Sequence, residues 1–419
     1  MGTVVLRFLC CIMFLIPAIG KSASILIPMD ARQRNHLKAY GIAYLSLQNE
    51  IPINWLLNYR GGSFLFPYNP LVENECSIRG VSFDVISDGE TALLMKEIES
   101  PRVNMNSVKM EKEPRIAVYS PKNDMVEDNT DAVITALDYA EIPYTLIYDT
   151  EVLSDSLVHF DWLHLHHEDF TGQFGRHLRR SSSQIEAKIQ EATAASFGYS
   201  KVSDMKLEVA KKIQGFTLTG GYLFAMCSGA ETFDIALAAE GVDIVESMYD
   251  GDGMDPQAQQ KLDFSKTFAF TDFILDPPNS RRFSNINTSE GRRYYYDESS
   301  GYFSLFDFSA KWDIVPSLLT QNHTAIVKSF FGQTTAFAAS TVKSDVLILG
   351  ENADDGEVRY IYGEMGYGHW TFYSGHDPER SPGGWREQTN LDLYPNSPGY
   401  RLILNNVLFP SAQKKKQKT

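Results

Sequence analysis

The sequence predicts an α/β protein built on a doubly wound, mostly parallel sheet, and three observations predict it. From Arg115 onward short apolar strands alternate with helix-length runs, the pattern of βαβ units whose crossover helices cover both faces of a parallel sheet. In the run Tyr222-Leu223-Phe224-Ala225-Met226-Cys227-Ser228-Gly229-Ala230 an apolar strand passes into a lone cysteine, a glycine turn and a helix. In Trp370-Thr371-Phe372-Tyr373-Ser374-Gly375-His376-Asp377-Pro378-Glu379 a second strand ends in a histidine flanked by carboxylates. Ligands of open α/β sheets bind beyond the carboxyl ends of the strands, so Cys227, His376 and the loop after His166 are expected to converge on one crevice.

Composition sets the outer limits. The chain has 419 residues, 43% hydrophobic and 12% aromatic, which suits a packed globular protein. A formal net charge of −15 repels phosphate backbones, so no nucleic-acid partner is expected. Residues 1–20 read as a signal peptide: Arg7 is the positive flank, Phe8 to Ile19 the apolar run, and Ala18-Ile19-Gly20 the small-residue cleavage site. Export to the periplasm or the extracellular space is the expectation. That run is shorter than the ~20 residues a membrane span needs, and no span is expected in the mature chain. Cys76 and Cys227 then remain. They could pair in an oxidising compartment, but the turn around Cys227 favours a free thiol there.

The elements follow in order. Ser24 to Met29 reads as a strand and Asp30 to Leu47 as a helix; Trp55 to Tyr59 and Gly80 to Ser87 are strands, and Glu90 to Ile98 is a helix. Together they form an N-terminal α/β segment, 21–110, which the polar Asn104 to Pro114 separates from the rest. The main domain, 111–410, begins with strand Ile116 to Tyr119, helix Thr130 to Ala140 and strand Tyr144 to Tyr148. Strand Trp162 to His166, helix within Gln184 to Gln214, the cysteine strand and helix Glu231 to Glu240 continue the alternation. Tyr249 to Thr320 breaks it, rich in Asp, Gly, Asn and aromatics, and reads as an insertion beside the site (about 249–320). Strands resume at Thr324 to Phe331, Val346 to Gly350 and Val358 to Gly363, and Tyr400 to Leu408 closes the chain as a helix before the basic tail, 411–419.

A thiol at a strand-to-helix turn projects into a cleft and lies near the positive end of the helix, which eases its ionisation. His376 and its flanking Asp377 and Glu379 supply the base and orienter that such a nucleophile needs. His164 and His166 share a strand face and, with Glu168 or Asp169, could hold zinc; the spacing is not diagnostic, and neither metal nor cofactor is expected. Asn58-Tyr59-Arg60-Gly61-Gly62-Ser63 lacks the lysine and following Ser/Thr of a phosphate loop and reads as a turn.

The elbow around Cys227, joined to a strand ending in Gly375-His376-Asp377-Pro378-Glu379, resembles the class I glutamine amidotransferase-like superfamily. Gly363-Glu364-Met365-Gly366-Tyr367-Gly368 ahead of Trp370 is similar to its trehalose-utilisation-type branch. The resemblance spans roughly Arg115 to Pro410 and implies a flavodoxin-like sheet. The whole chain also resembles exported bacterial proteins labelled asparagine synthetase B. Synthetase chemistry is not expected, because that enzyme class needs an N-terminal cysteine behind the initiator methionine and a Ser-Gly-Gly phosphate loop, whereas this chain starts Met1-Gly2.

The resemblance implies that Cys227 attacks a carboxamide, His376 takes the thiol proton, and a carboxylate orients the imidazole. Ala225 stands in the family's first glycine position, and Pro378 stands where its acid usually is. Glu379 is then the first choice of orienter and Asp377 the alternative. Ser228, Gly229, His166, His167, Glu168 and Gly172 are the expected oxyanion and pocket residues. The resulting expectation is a thiol amidohydrolase acting on a small amide, the alternative a non-catalytic protein that binds a carbohydrate-like ligand or a partner through the aromatic insertion.

Overall fold

Alternating burial decides the first sheet. In β1 (Ala23–Ile27) Ile25 and Ile27 enter one core and Leu26 another, the period of two that a strand covered on both faces shows. After α1 (His36–Gln48) come β2 (Ile53–Leu57), β3 (Ser63–Pro67), α2 (Pro70–Ile78), β4 (Asp84–Ser87), α3 (Asp88–Glu99) and β5 (Asn106–Met110). The strand order is β4-β1-β3-β2-β5, every neighbour antiparallel. Leu94 and Ile98 of α3 cover Leu26, Leu56 and Leu65 on one face. On the other, Tyr40 of α1 packs edge-on against Phe64 and Trp55. The stretch 104–114, read as a separator, thus supplies an edge strand: Asn106, Val108 and Met110 are buried while Lys109 is exposed, an alternation that its charged residues obscured.

This computed structural model describes residues 23–121, 131–176, 181–277, 280–288, 301–320, 324–328, 330, 332–379 and 388–412. The signal-peptide reading of 1–20, part of the aromatic-rich insertion (289–300) and the lysines of the tail lie outside them.

The second sheet starts in the expected rhythm: β6 (Ile116–Tyr119), α4 (Ala132–Ala140), β7 (Thr145–Ile147), α5 (Asp149–Leu153) and β8 (Trp162–Leu165). Next come α6 (Ser181–Ser196), α7 (Val202–Leu218), β9 (Tyr222–Met226) and α8 (Cys227–Ala238). The short turns α9 (Ser247–Asp250) and α10 (Ala258–Lys261) lead to β10 (Tyr302–Leu305), α11 (Pro316–Leu319) and β11 (Ile326–Lys328). The chain closes with β12 (Phe337–Ala338), β13 (Leu347–Asn352), β14 (Glu357–Met365), β15 (Gly368–Tyr373) and α12 (Pro398–Leu408).

The order is β11-β10-β13-β14-β15-β9-β8-β6-β7, with β12 on β14. Only β15, β9, β8, β6 and β7 run parallel; β11, β10, β13, β14 and β15 pair antiparallel, as does β12. The mostly parallel, flavodoxin-like sheet expected from the sequence is therefore corrected: one sheet is wholly antiparallel and the other mixed. The reason lies in the connections. Between β14 and β15 stand only Gly366 and Tyr367, and a two-residue link can join only antiparallel neighbours, whereas a parallel return needs a crossover of a dozen or more residues.

The helices α1, α4 and α12 form a shared layer between the two sheets: α1 packs on α4 and α12, and one hydrophobic core runs from Ile25 and Trp55 to Trp162, Phe224 and Tyr373. Buried Arg401 of α12 donates to the carbonyls of Met29 (3.2 Å), Gly61 and Thr320 (3.1 Å), tying the first sheet to α12 and α11. On the far face α7 and α8 cover Leu163, Leu223, Ala225 and Phe372. The 249–320 region is built into this body. Its β10 joins the sheet, and Phe268, Phe270, Phe273 and Phe283 are buried; the Asp234 carboxylate in α8 accepts the N–H groups of Phe268 (2.7 Å), Ala269 (2.7 Å) and Phe270 (2.9 Å). Tyr302, Phe306 and Trp312 stay exposed. No helix among the described residues is long and apolar enough to cross a membrane.

Candidate active site

Parallel register brings the expected residues to one rim. Leu165 pairs with Ala225 and Met226 with Tyr373, so His166, Cys227 and Ser374-Gly375-His376 leave their strands side by side. Met226 is still extended (φ −127°, ψ 154°), Cys227 has φ +54°, and α8 starts there. A left-handed cysteine costs roughly 1–3 kcal/mol of backbone strain, a conformation that persists because β9 and α8 are buried on every side. Gly229 permits the tight packing: a Cβ there would stand 2.0 Å from the His166 carbonyl oxygen. Gly172 (φ +80°) lies against Ser203 in the loop beyond.

Cys227 Sγ and the His376 ring converge beside Gly332. A Cβ on Gly332 would lie 2.6 Å from Sγ, 2.7 Å from His376 Cδ2 and 3.1 Å from His376 Nε2. The Thr334 N–H donates to Sγ at 3.4 Å. Burial pushes the Cys227 thiol up to about 11, against the downward pull of the Thr334, Ser228 and Gln333 N–H groups, with Glu231 adding to the rise. Cys76 and Cys227 are both free, so the disulfide alternative does not form.

The His376 ring meets His166 edge-on, centroids 4.8 Å apart, and lies 6.0 Å from His167. His166 Nε2 is 3.4 Å from His167 Nδ1, and the tautomers decide which donates. The Asp131 carboxylate faces the two strand histidines: its Oδ2 lies 3.3 Å from His164 Nε2 and 3.6 Å from His166 Nδ1. Its Oδ1 caps α4, accepting from Val133 and Ile134. An aspartate before an apolar run is a legible cap signature, but nothing in the sequence says that its other oxygen turns to the histidines. His164 and His166, the weak metal candidates, thus share a carboxylate. Asp377 accepts from Thr389 Oγ1 (2.6 Å) and the Glu379 N–H (2.9 Å). Glu379 accepts from Ser397 Oγ (2.6 Å), and Lys328 Nζ is 3.8 Å away. Ser228 Oγ donates to the His167 carbonyl at 3.0 Å, fixing that loop on α8.

Behind the histidines is a buried polar cluster that the sequence reading missed. Lys206 of α7 donates to Asp149 Oδ1 (3.0 Å), Tyr119 Oη (3.0 Å) and Tyr148 Oη (3.3 Å), and Tyr148 Oη donates to Glu168 (2.8 Å). Burial pulls the Lys206 ammonium down, but Asp149, Glu168 and Glu186 outweigh it and hold the pKa above its usual value. Elsewhere, among the described residues, Asp243, Asp250 and Asp252 have the spacing of a metal site. The Lys201 ammonium occupies their centre, 2.8, 3.0 and 2.6 Å from the three. Lys201 and Asp243 also line a cavity of about 320 Å³ between α7 and α8.

Burial raises the Glu231 carboxyl to about 7 and that of Asp234 to about 6, and it raises Glu168 as well. The fold therefore binds more protons than the unfolded chain between the ordinary carboxylate range and neutrality. Stability from these groups is fully present below the unfolded values and is lost as pH rises through the folded ones. Thermal unfolding is expected to show a midpoint that falls between pH 5 and 7, by roughly a few kcal/mol in stability. A midpoint that climbs over that interval contradicts these assignments.

No protein-family model and no curated protein matches the chain. Among solved structures, a cytoplasmic protein of Salmonella typhimurium overlaps 72% of this chain and 100% of its own, at 11% identity and TM-score 0.38. A second, from Salmonella typhimurium LT2, overlaps 75% of this chain and 94% of its own at 10% identity and TM-score 0.33. A GH42 beta-galactosidase overlaps 64% of this chain and 28% of its own at 10% identity and TM-score 0.28. At these scores the likenesses carry no argument about fold or function.

Proposed function

We propose that the protein is an exported, amidotransferase-like thiol hydrolase that opens a small carboxamide through a Cys227 thioester. The observation that carries this reading is the left-handed Cys227 placed at a strand-to-helix turn with its Sγ and the His376 imidazole converging beside Gly332. The neutral imidazole takes the Sγ proton as sulfur bonds to the amide carbon, and returns it to the nitrogen as the C–N bond breaks and ammonia leaves. Water then attacks the thioester, giving its proton to His376. The C–S bond breaks, and the proton passes back to sulfur. The Ser228 N–H, at the start of α8, stabilises the oxyanion of both steps.

The test is ammonia release from a panel of small primary carboxamides. Release by the native protein that Cys227→Ala abolishes is the expected result. Release that survives Cys227→Ala, or none from the panel once the thiol is exposed, overturns the reading. One observation favours a non-catalytic binding protein instead: Cys227 is fully buried, and its thiol is pushed up rather than down. In that reading the exposed Tyr302, Phe306 and Trp312 provide stacking surfaces for a carbohydrate-like ligand.

A further inference from the structure

The Gly332–Thr335 backbone closes over the sulfur: a Cβ on Gly332 would lie 2.6 Å from Sγ and 2.7 Å from His376 Cδ2, and the Thr334 N–H donates to Sγ at 3.4 Å. Cys227 has 0% exposure beneath it. Of the elements around the sulfur, β8, β9, β15 and α8 are held by continuous ladders and helical bonds. The stretch 332–335 is held mainly by individual bonds. Thr334 Oγ1 donates to Glu231 Oε2 (2.8 Å) and accepts from Asn287 Nδ2 (3.3 Å). The Gln333 carbonyl accepts from Asn287 Nδ2 (2.8 Å), the Thr335 carbonyl from Arg359 (2.7 Å), and the Thr334 carbonyl from the Gly375 N–H (2.6 Å). Glu231 is fully buried one turn after Cys227 in α8, and Ser284 Oγ (2.8 Å) and N–H (3.1 Å) fix its other oxygen. The same helix therefore carries the nucleophile and the group that holds down its cover.

We propose that Gly332–Thr335 is a strap that gates the Cys227 thiol and that Glu231, through Thr334, is the latch that keeps it shut. Glu231 is a positioning residue: it touches the strap, not the reacting atoms. The strap must lift for any reagent to meet the sulfur, and when it lifts the thiol gains water and loses the Thr334 and Gln333 amides. That the gated group performs hydrolysis rests on the reading above; the gating itself does not.

The experiment is alkylation of the full chain by iodoacetamide, with Cys227 and Cys76 followed separately by peptide mass spectrometry. Cys76 is an internal control, also buried, in α2 of the N-terminal segment and outside the bonds described for the 332–335 stretch. Thr334→Val, which keeps the shape and removes the donor to a carboxylate, is expected to raise the Cys227 rate by about tenfold or more, the scale of one charge-assisted bond. Glu231→Gln is expected to raise it in the same direction with Cys76 unmoved. Hydrogen exchange on the unaltered protein supplies an arm that needs no variant: amides 332–335 should exchange faster than those of β9 and β15. An unchanged Cys227 rate, a parallel rise at Cys76, or strap amides as protected as the strands overturns the gate. A gate that opens onto a thiol indifferent to His376→Ala retains this inference and removes the hydrolytic one.

Discussion

His376→Ala is expected to lower turnover of a small carboxamide by about 10²–10⁴-fold, the range that a positioned acid–base group contributes. The size of the effect follows from the state of the sulfur. With burial holding the thiol near 11, little thiolate exists at neutral pH, so attack requires a base within reach at the moment of bonding. His376 is the imidazole that converges with Sγ beside Gly332: a Cβ there would lie 2.6 Å from Sγ and 3.1 Å from His376 Nε2. The loss should be in kcat, with KM little moved, since the imidazole acts on the proton and not on binding. A steady-state comparison at several pH values checks it. An equal loss in Cys227→Ala and the double variant shows that the two act as one unit, whereas a His376→Ala protein with full kcat shows that another group takes the proton.

Lys206→Met is expected to destabilise the fold by about 3–5 kcal/mol, the cost of leaving a buried carboxylate without its cation. Asp149 is buried beside Lys206, and Tyr119 and Lys206 both donate to its Oδ1. The ammonium also lies 4.5 Å from the Tyr148 ring centroid, so its removal costs packing as well as charge. Urea unfolding followed by circular dichroism gives the number. The Lys206→Met/Asp149→Leu pair should recover much of the loss, because it removes both charges together. A single-variant loss below about 1 kcal/mol would place Lys206 outside the energetic core of the α7 layer, against what its contacts imply.

The meeting of Cys227 and His376 was legible because it depends on two short-range signals and one general rule: apolar strands ending at reactive residues, and parallel strands ending at one rim. The other half of the second sheet was not read correctly. Between Val346 and Tyr373 the chain has no helix-length amphipathic run, and that absence marks hairpins; the alternation upstream was extended over it. The buried partners were harder to read. Asp131 looks like a helix cap, Lys206 like one more polar residue of an amphipathic helix, and Glu231 like surface, because burial of a charged side chain is decided by what packs on it from elsewhere in the sequence. The phenylalanines of 249–320 misled in the opposite sense: an irregular, polar-looking stretch is in part core.

Intact-mass and peptide analysis of protein quenched in acid during reaction with a small carboxamide tests the whole proposal at its centre. An acyl group carried by the Cys227 peptide, absent from Cys227→Ala and slower to form in His376→Ala, is the predicted result. Consumption of the substrate with Cys227 never acylated contradicts it.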